Sequence, residues 1–335
     1  MLVQAVADSC EPFDAIETAH LDRLIARIGD AKVVLLGEAS HGTSEFYRMR
    51  DRITRELIVK KGFRFVAIEG DWPDAARVDH YVRHLEYPPS EWTAFARFPV
   101  WMWRNNEVRA FVDWLRHHNA PLETPSRVAF HGLDLYSLYD SIRAVLKYLD
   151  QVDPATAHVA RERYGCLTPW QSDPATYGPD RRLSDLRVVC RCRINRPLAE
   201  AQRICGTRWR AFHGRRPKRS ADRQCERYYR IMYYGSRASW NLRDGHMFET
   251  LKTLLRFYGE NTKAVVWAHN SHIGNAAATE MFSRGEYNLG HLCRREFGPL
   301  AYAIGFGTDS GTVAAASQWD GPMQIKTVLP AVPES

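Results

Sequence analysis

Residues 32–69 read KVVLLGEASHGTSEFYRMRDRITRELIVKKGFRFVAIE, and this pattern predicts one β-α-β unit. Two short apolar runs, Lys32–Gly37 and Phe63–Glu69, have the composition of buried strands. Between them, apolar side chains recur at the spacing of an amphipathic helix: Phe46, Met49, Ile53 and Leu57. The basic pair and glycine of Lys60-Lys61-Gly62 are typical of a helix end. Strands joined in this way by a helix form parallel sheets.

The alternation of strands and helices continues along most of the chain. Further strands are predicted at Arg127–Gly132, Lys263–His269 and Leu300–Gly305, with weaker ones at Gly311–Ser317 and Met323–Val328. Further helices are predicted at Asp14–Ile28, Pro73–Arg83, Asn106–His117, Ser137–Leu149 and Arg227–Tyr258, the last interrupted near Gly235 or Gly245. This pattern predicts an α/β fold with a mainly parallel sheet and helices on both faces.

The strand signal disappears between Asp150 and Tyr258. We therefore expect a catalytic core formed by residues 1–150 and 259–335, with a helical insertion at 151–258. The segment 181–226 shows no sustained strand or helix period, and its arginines would be too costly to bury without partners. We expect a poorly ordered loop there.

Composition excludes several classes of protein. A chain of 335 residues with 45% hydrophobic side chains is long enough to bury a large core, unlike a small disulfide scaffold. The first residues lack the pattern of a secretory signal, and no apolar run is long enough to span a membrane, so we expect a cytoplasmic protein. The seven cysteines include no Cys-x-x-Cys pair, which favours reduced thiols.

The net charge of +7 comes from one segment. Residues 181–226 contain 13 Arg and 1 Lys against 4 acidic residues, a net charge of +10, so the rest of the chain carries −3. Arginines of this segment are the only support for nucleic-acid binding, which we treat as the least favoured function.

Polar groups follow four of the predicted strands at their carboxyl ends. They are Glu38 and His41 after the first strand, Glu69 at the end of the second, Asp134 after the third, and His269 and His272 after the fourth. Because parallel strands end at the same edge of a sheet, these groups are expected to converge there. At such a site a histidine can take a proton from water while carboxylates such as Glu38 and Glu69 orient it.

Arg50 lies within the apolar stripe of its predicted helix. An arginine on an inward face needs an anionic partner, which either Glu38 or Glu69 can supply. We expect Arg50 and the two later histidines to hold the substrate and to stabilise an oxyanion.

The motifs together resemble those of the erythromycin esterase family. They are Leu35-Leu36-Gly37-Glu38-Ala39-Ser40-His41-Gly42-Thr43 followed by Arg50, Ile68-Glu69-Gly70-Asp71, Trp101-Met102-Trp103-Arg104-Asn105, Asn241-Leu242-Arg243-Asp244 and Ala268-His269-Asn270-Ser271-His272. The resemblance implies a three-layer α/β domain with helical additions and hydrolysis of a small-molecule ester or macrolactone by an activated water. It also implies that His41 is the general base, with Glu38, Arg50, Glu69, His269 and His272 completing the catalytic set.

Two segments depart from the family pattern. The pattern is lost between Arg181 and Glu226, and we expect this part to be aberrant because its Arg and Cys content is typical of GC-rich coding sequence translated out of frame. We also expect the C-terminus to be truncated relative to the family. An inactive, damaged remnant of the family is therefore an alternative to an active esterase.

Other interpretations of the same residues remain open. Glu38, His41, Glu69, His269 and His272 are all competent metal ligands, so a metal-dependent hydrolase is an alternative, although we expect no cofactor. A serine nucleophile is disfavoured because the Gly-x-Ser-x-Gly elbow is absent.

Structural interpretations of these motifs also stand beside the functional ones. Glu38 and His41 can simply cap the following helix, and His269 and His272 can be polar residues of a turn. Arg243-Asp244 is read as a structural ion pair. Arg104, Trp101 and Asp134 are expected to bind substrate.

Overall fold

A computed structural model describes residues 2–85, 94–95, 99–135, 138–164, 236–318 and 320–330. Its main sheet contains the strands β1 (Val33–Leu36), β2 (Phe65–Asp71), β3 (Ala129–Asp134), β4 (Ala264–Trp267) and β5 (Ala301–Ile304). They lie in the order β3-β2-β4-β1-β5, and each neighbouring pair is parallel. A separate antiparallel pair consists of β6 (Thr312–Ala315) and β7 (Gln324–Thr327). All seven strands were predicted to within two residues at either end.

Helices surround the main sheet. In chain order they are α1 (Leu2–Ser9), α2 (Asp22–Ile28), α3 (Ser44–Lys61), α4 (Trp72–Val82), α5 (Asn106–Asn119), α6 (Leu138–Val152), α7 (Pro154–Tyr164), α8 (Ser236–Tyr258), α9 (Asn270–Ile273), α10 (Glu280–Ser283) and α11 (Leu289–Phe297). Short 3₁₀ turns occur at Ile16–Thr18, Val100–Met102, Thr124–Ser126, Ala276–Ala278 and Gly298–Leu300.

Each face of the sheet buries its own hydrophobic cluster, as expected for a three-layer α/β fold. Alternate strand residues such as Val34, Leu36 and Trp267 pack with α2, α3, α4 and α5, whose contributions include Ile53 and Phe111. The intervening strand residues pack with α8, α9 and α11 on the opposite face. A fully buried leucine or isoleucine contributes about 1.5–3 kcal/mol, so these two clusters hold the layers together.

The helix α3 ends as its sequence predicts, one turn later than the apolar stripe. Lys60 and Lys61 form its last turn, where basic side chains interact favourably with the helix dipole. Gly62 follows in the left-handed region with φ 69°, which glycine adopts without strain. Its amide donates to the carbonyl of Ile58, and the chain then enters β2.

Two helix predictions need correction. The predicted helix Asp14–Ile28 is instead a 3₁₀ turn at Ile16–Thr18 followed by α2. The helix α8 continues through Gly245, one of the two glycines near which an interruption was predicted; the other, Gly235, lies outside the described residues. Gly245 faces Tyr287, whose hydroxyl would lie 3.2 Å from an added Cβ.

The predicted insertion at 151–258 includes α8, but this helix covers one face of the sheet. Its residues Met247, Leu251 and Leu255 are buried against Val33, Leu35 and other strand side chains. Therefore α8 belongs to the core layers rather than to an insertion. The aberrant segment predicted at 181–226 lies outside the described residues. Among the residues that are described, no helix combines the length and hydropathy needed to cross a membrane.

The topological switch point of the sheet lies where the chain leaves β1 and β4, which are neighbours in the sheet. From β1 the chain passes to α3 on one face, whereas from β4 it passes to α9 and α11 on the other. Such a reversal between adjacent parallel strands opens a binding crevice at their carboxyl ends. Glu38 and His41 follow β1, and His269 and His272 follow β4.

Candidate active site

Glu38 is the buried acid that joins two site residues on the β1 side. It is 0% exposed. One carboxylate oxygen lies 2.9 Å from Nδ1 of His41, and the other accepts a 2.6 Å hydrogen bond from Nη2 of Arg50. Arg50 therefore pairs with Glu38 and not with Glu69, which the sequence left undecided.

The hydrogen bond to Glu38 fixes the tautomer of His41. An ionised carboxylate only accepts, so Nδ1 of His41 carries the proton and Nε2 keeps its lone pair. Within the described part of the chain, no hydrogen bond occupies Nε2. The side chain of His41 is 34% exposed, so water can reach this nitrogen. Burial lowers the pKa of His41, but the hydrogen bond to Glu38 and the charges of Glu69 and Glu38 raise it more, leaving it above the ordinary value.

Arg50 was predicted to bind the substrate, but the structure places it in the core. Its side chain is fully buried, and its guanidinium lies 4.6 Å from the ring of Tyr47 and 5.1 Å from that of Trp267. An arginine in this position cannot contact a substrate in the crevice. It pairs instead with the buried Glu38 carboxylate and offsets the cost of burying that charge.

Tyr47 holds the main chain of His41 in place. Its hydroxyl donates a 2.6 Å hydrogen bond to the carbonyl oxygen of His41. The tyrosine is only 2% exposed and also packs edge-on against Trp103. Tyr47, in the first turn of α3, therefore contacts both the buried Arg50 guanidinium and the main chain of the candidate base His41.

Glu69, at the end of β2, binds three groups of the β4 side. Its Oε1 accepts from Nη2 of Arg243 at 2.6 Å and lies 3.2 Å from Nε2 of His272. Its Oε2 accepts from the main-chain amide of His269 at 2.8 Å. Burial raises the pKa of Glu69, but the charges of His272 and Arg243 outweigh it and hold the pKa well below its usual range.

His272 is enclosed by acidic groups. Its Nδ1 lies 2.9 Å from Asp244, its ring stacks on Trp240 with centroids 4.6 Å apart, and its side chain is 3% exposed. Burial lowers the pKa of His272, but Glu69 and Asp244 raise it more, to about 9. With a pKa of about 9, His272 is an imidazolium at neutral pH. Its Nε2 lies 2.9 Å from Nη1 of Arg243 and 3.2 Å from Oε1 of Glu69.

His269 faces His41 across the crevice, with ring centroids 5.1 Å apart. Both of its ring nitrogens have protein partners: Nε2 lies 3.1 Å from the carbonyl of Ala39, and Nδ1 accepts from the amide of Ser271 at 3.2 Å. Burial lowers the pKa of His269, and the charge of His41 lowers it further. The His269 side chain thus caps the short helix α9. His269 is therefore a structural residue of this turn as well as a member of the candidate site.

The pKa values of the two facing histidines are shifted in opposite directions. That of His41 is raised, whereas that of His269 is lowered. Paired titratable groups with diverging pKa values often divide acid and base roles in enzymes. Here the more basic member is also the one with a free nitrogen facing the crevice.

The three residues predicted to bind substrate have different surroundings. Asp134 is buried and receives a 2.6 Å hydrogen bond from Nη2 of Arg243, so it belongs to the charged network. Trp101 is half-buried in a 3₁₀ turn, and Arg104 is exposed. Contacts of Trp101 and Arg104 with a substrate stay predictions. It is Trp103 that binds the site framework, through a 2.9 Å hydrogen bond from Nε1 to the main-chain oxygen of Glu69.

The capping interpretation of Glu38 and His41 is wrong. The helix α3 has Thr43 as its N-cap and no side-chain cap hydrogen bond, since both Glu38 oxygens are engaged elsewhere.

The same acids and histidines were also considered as metal ligands. Among the described residues, no group of three or more His, Cys, Asp or Glu side chains has the arrangement needed to hold a metal ion. Each candidate oxygen donor is instead paired with a protein nitrogen.

Comparison with known proteins places this chain in a family. The model of the family described as erythromycin esterase matches residues 58–335. The chain belongs to the erythromycin esterase family. It is 21% identical over 316 residues to the erythromycin esterase type II of Escherichia coli, an alignment that covers 86% of this chain and 71% of that protein. Membership of the erythromycin esterase family supports an esterase-type hydrolase activity on a small molecule.

Solved structures share the fold. A succinoglycan biosynthesis protein superposes with a TM-score of 0.78 at 21% identity, covering 98% of this chain and 80% of that one. A mutant of the erythromycin esterase EreC in its open conformation superposes with a TM-score of 0.72 at 15% identity, covering 95% of this chain and 82% of that one. At these identities the likeness establishes the fold alone.

For this member of the erythromycin esterase family, sequence reasoning missed the roles of Arg243 and Asp244. They were interpreted as a pair, yet Arg243 binds Glu69 and Asp134 while Asp244 binds His272. Adjacent residues on a helix point about 100° apart, so they seldom bind each other. That geometry was the available signal that each had a different partner.

Proposed function

We propose that this chain hydrolyses an ester or macrolactone with a water molecule activated by His41. The observation that carries the proposal is the Glu38–His41 hydrogen bond, which leaves Nε2 of a partly exposed histidine as the free base. Glu38 stabilises the imidazolium that forms, as a carboxylate does in other acid-base pairs. The raised pKa of His41 makes its neutral form a stronger base for the proton of water.

The reaction proceeds by addition and elimination. Nε2 of His41 takes a proton from water as the water oxygen bonds to the carbonyl carbon, giving a tetrahedral oxyanion. The carbonyl re-forms and the bond to the leaving oxygen breaks. The His41 imidazolium then returns the proton to the departing alkoxide, giving a carboxylic acid and an alcohol.

The oxyanion needs a positive charge close to the crevice. Arg50 is too deeply buried to supply it, and both ring nitrogens of His269 are engaged. Arg243 is 14% exposed at its side chain and already acts on the pKa of His41 through its charge. We assign oxyanion stabilisation to Arg243, with its hydrogen bonds to Glu69 and Asp134 fixing its position. A donor in this role contributes about 2.7–4 kcal/mol to transition-state stabilisation.

Hydrolysis of p-nitrophenyl acetate and of a macrolactone tests the proposal. Activity of the full chain should survive a chelator and should fall by about 10²-fold or more in His41→Ala. Loss of activity with the chelator, restored by added zinc or manganese, would favour the metal-dependent alternative. Absence of hydrolysis by the folded wild-type chain with every ester would favour the inactive remnant.

A further inference from the structure

A second concave region lies beside the His41 turn, on the α2 and α3 side of the sheet. It is a groove of about 970 Å³, at the upper end of the range usual for small-molecule sites. Its floor consists of buried apolar side chains of Ala19, Phe46, Met49 and Ile53. Its walls come from the 3₁₀ turn at Ile16–Thr18, from α2, and from the β6–β7 hairpin.

The groove is separate from the charged cluster but shares its framework. Among the described residues that line it, none belongs to that cluster, yet Gly42 and Thr43 directly follow His41. On its other side Phe306 stacks on Phe46 and exchanges two hydrogen bonds with Asn270, the residue after His269. The groove thus begins where the turns carrying both facing histidines end.

Gly42 permits this arrangement. A Cβ at Gly42 would lie 1.9 Å from the carbonyl oxygen of Ala314, so any side chain there would displace the β6–β7 hairpin. The main-chain oxygen of Gly42 accepts a 3.0 Å hydrogen bond from the amide of Ala314. The hairpin that walls the groove is therefore attached to the residue next to His41.

The charges at the groove disfavour an anionic ligand. Its lining contains Glu11, Glu45 and Asp309, and the lining cation Arg27 is paired with Glu11. A fatty-acid carboxylate would meet net negative charge there, whereas an uncharged chain would meet apolar side chains and hydroxyls.

We propose that this groove binds the uncharged apolar acyl portion of an ester whose carbonyl group lies at His41. The inference rests on the proposed function and names its substrate class: esters of long or bulky apolar acids. Burial of the acyl portion against Phe13, Ile16 and the groove floor favours such esters over short ones. The turn from His41 to Thr43 connects the candidate base to the lining of the groove.

Two variants alter the groove without touching the charged cluster. Ile16→Trp fills part of it, and Phe13→Ser removes an apolar wall residue that is 53% exposed. Phe282→Ser is the matched control, because Phe282 is 67% exposed on α10, outside the groove. Hydrolysis of p-nitrophenyl acetate and p-nitrophenyl octanoate is compared for all four proteins, and thermal unfolding checks that each variant is folded.

We expect Ile16→Trp to lower kcat/KM for octanoate at least about tenfold more than for acetate, the scale on which apolar pockets discriminate acyl size. Phe13→Ser should act in the same direction, and Phe282→Ser should leave the ratio of the two substrates unchanged. Equal effects of Ile16→Trp on both esters would overturn the inference while leaving the esterase function intact.

Binding of methyl heptyl ketone separates the groove from catalysis. This ketone carries the octanoyl chain, is uncharged and cannot be hydrolysed, so calorimetry reports the groove even if no ester reacts. It should bind wild type more tightly than it binds Ile16→Trp, and more tightly than the octanoate anion binds wild type. Ketone binding that the groove variants do not change contradicts the inference. Groove-dependent ketone binding without any ester hydrolysis supports it and contradicts the proposed function.

Discussion

Nδ1 of His41 lies 2.9 Å from a carboxylate oxygen of Glu38, a residue with no exposure to solvent. Because Glu38 is shielded from solvent, its carboxylate can influence a bound water only through the imidazole ring of His41. The other Glu38 oxygen is bound by Arg50, so the histidine, the acid and the arginine form one chain from the crevice into the core. The site on the β1 side therefore depends on a buried ion pair.

Arg50→Met should lower the free energy of unfolding by about 3–5 kcal/mol, because it leaves the Glu38 carboxylate buried without its cation. Chemical denaturation measures this loss. Arg55→Met is the matched control on the same helix: its pair with Asp51 is partly exposed and should contribute at most about 1 kcal/mol. A loss for Arg50→Met no larger than that for Arg55→Met would show that Glu38 is not charged in the core.

The double variant Glu38→Gln/Arg50→Met removes both buried charges and should recover part of the lost stability. Because the pKa of His41 is raised by Glu38, this variant should lower it. Hydrolysis needs neutral His41 and is lost as pH falls through its pKa, so the acidic limb of the kcat/KM profile should move to lower pH. The maximum rate should also fall, since the histidine is a weaker base. An acidic limb that does not move would show that Glu38 does not set the pKa on which hydrolysis depends.

Tyr47→Phe removes the hydroxyl that binds the His41 carbonyl and should lower kcat more than it changes KM. Tyr258→Phe is its control, because the Tyr258 hydroxyl lies 2.9 Å from Nε2 of His131 on the opposite face of the sheet. Each variant should lose about 1 kcal/mol of stability with its hydrogen bond. Only Tyr47→Phe should reduce turnover. Equal kcat values in the two variants would show that Tyr47 has a structural role alone.

The imidazolium of His272 should stabilise the folded protein below pH 9. Its pKa is raised from 6.5 to about 9 in the folded state, so this stabilisation is complete below about pH 6.5 and is lost as pH rises through 9. The shift corresponds to about 3 kcal/mol. The difference in unfolding free energy between wild type and His272→Gln should therefore shrink over that interval. A difference that stays constant with pH would mean that His272 is neutral in the fold.

The sequence predicted the sheet and the positions of its polar strand ends well. Val33–Leu36 and Ala264–Trp267 are short, wholly apolar runs, and such runs between helical patterns have few alternatives to a buried parallel strand. Convergence of Glu38, Glu69 and His269 at one edge then follows from strand direction. The prediction of a shared edge did not depend on knowing the order of the strands.

The partners of the charged side chains were harder to predict, because they depend on the order of the strands in the sheet and on the rotation of each helix about its axis. Glu38 follows β1 and Glu69 lies near the end of β2, and both strands neighbour β4. Only the direction of the α3 face decides which of the two acids Arg50 contacts. Arg243 comes from α8, which the sequence placed in an insertion, so its contacts with Glu69 and Asp134 could not be anticipated. Long-range ion pairs of this kind leave no periodic signal in the chain.

Rescue of His41→Ala by imidazole tests the role of His41 most directly. The variant leaves a space beside Glu38 in which added imidazole can donate one nitrogen to the carboxylate and offer the other to water. We predict that hydrolysis by His41→Ala is at least about 10²-fold slower than wild type and rises with imidazole concentration, following the titration of free imidazole. Wild-type activity in His41→Ala without imidazole would contradict the assignment of His41 as the general base.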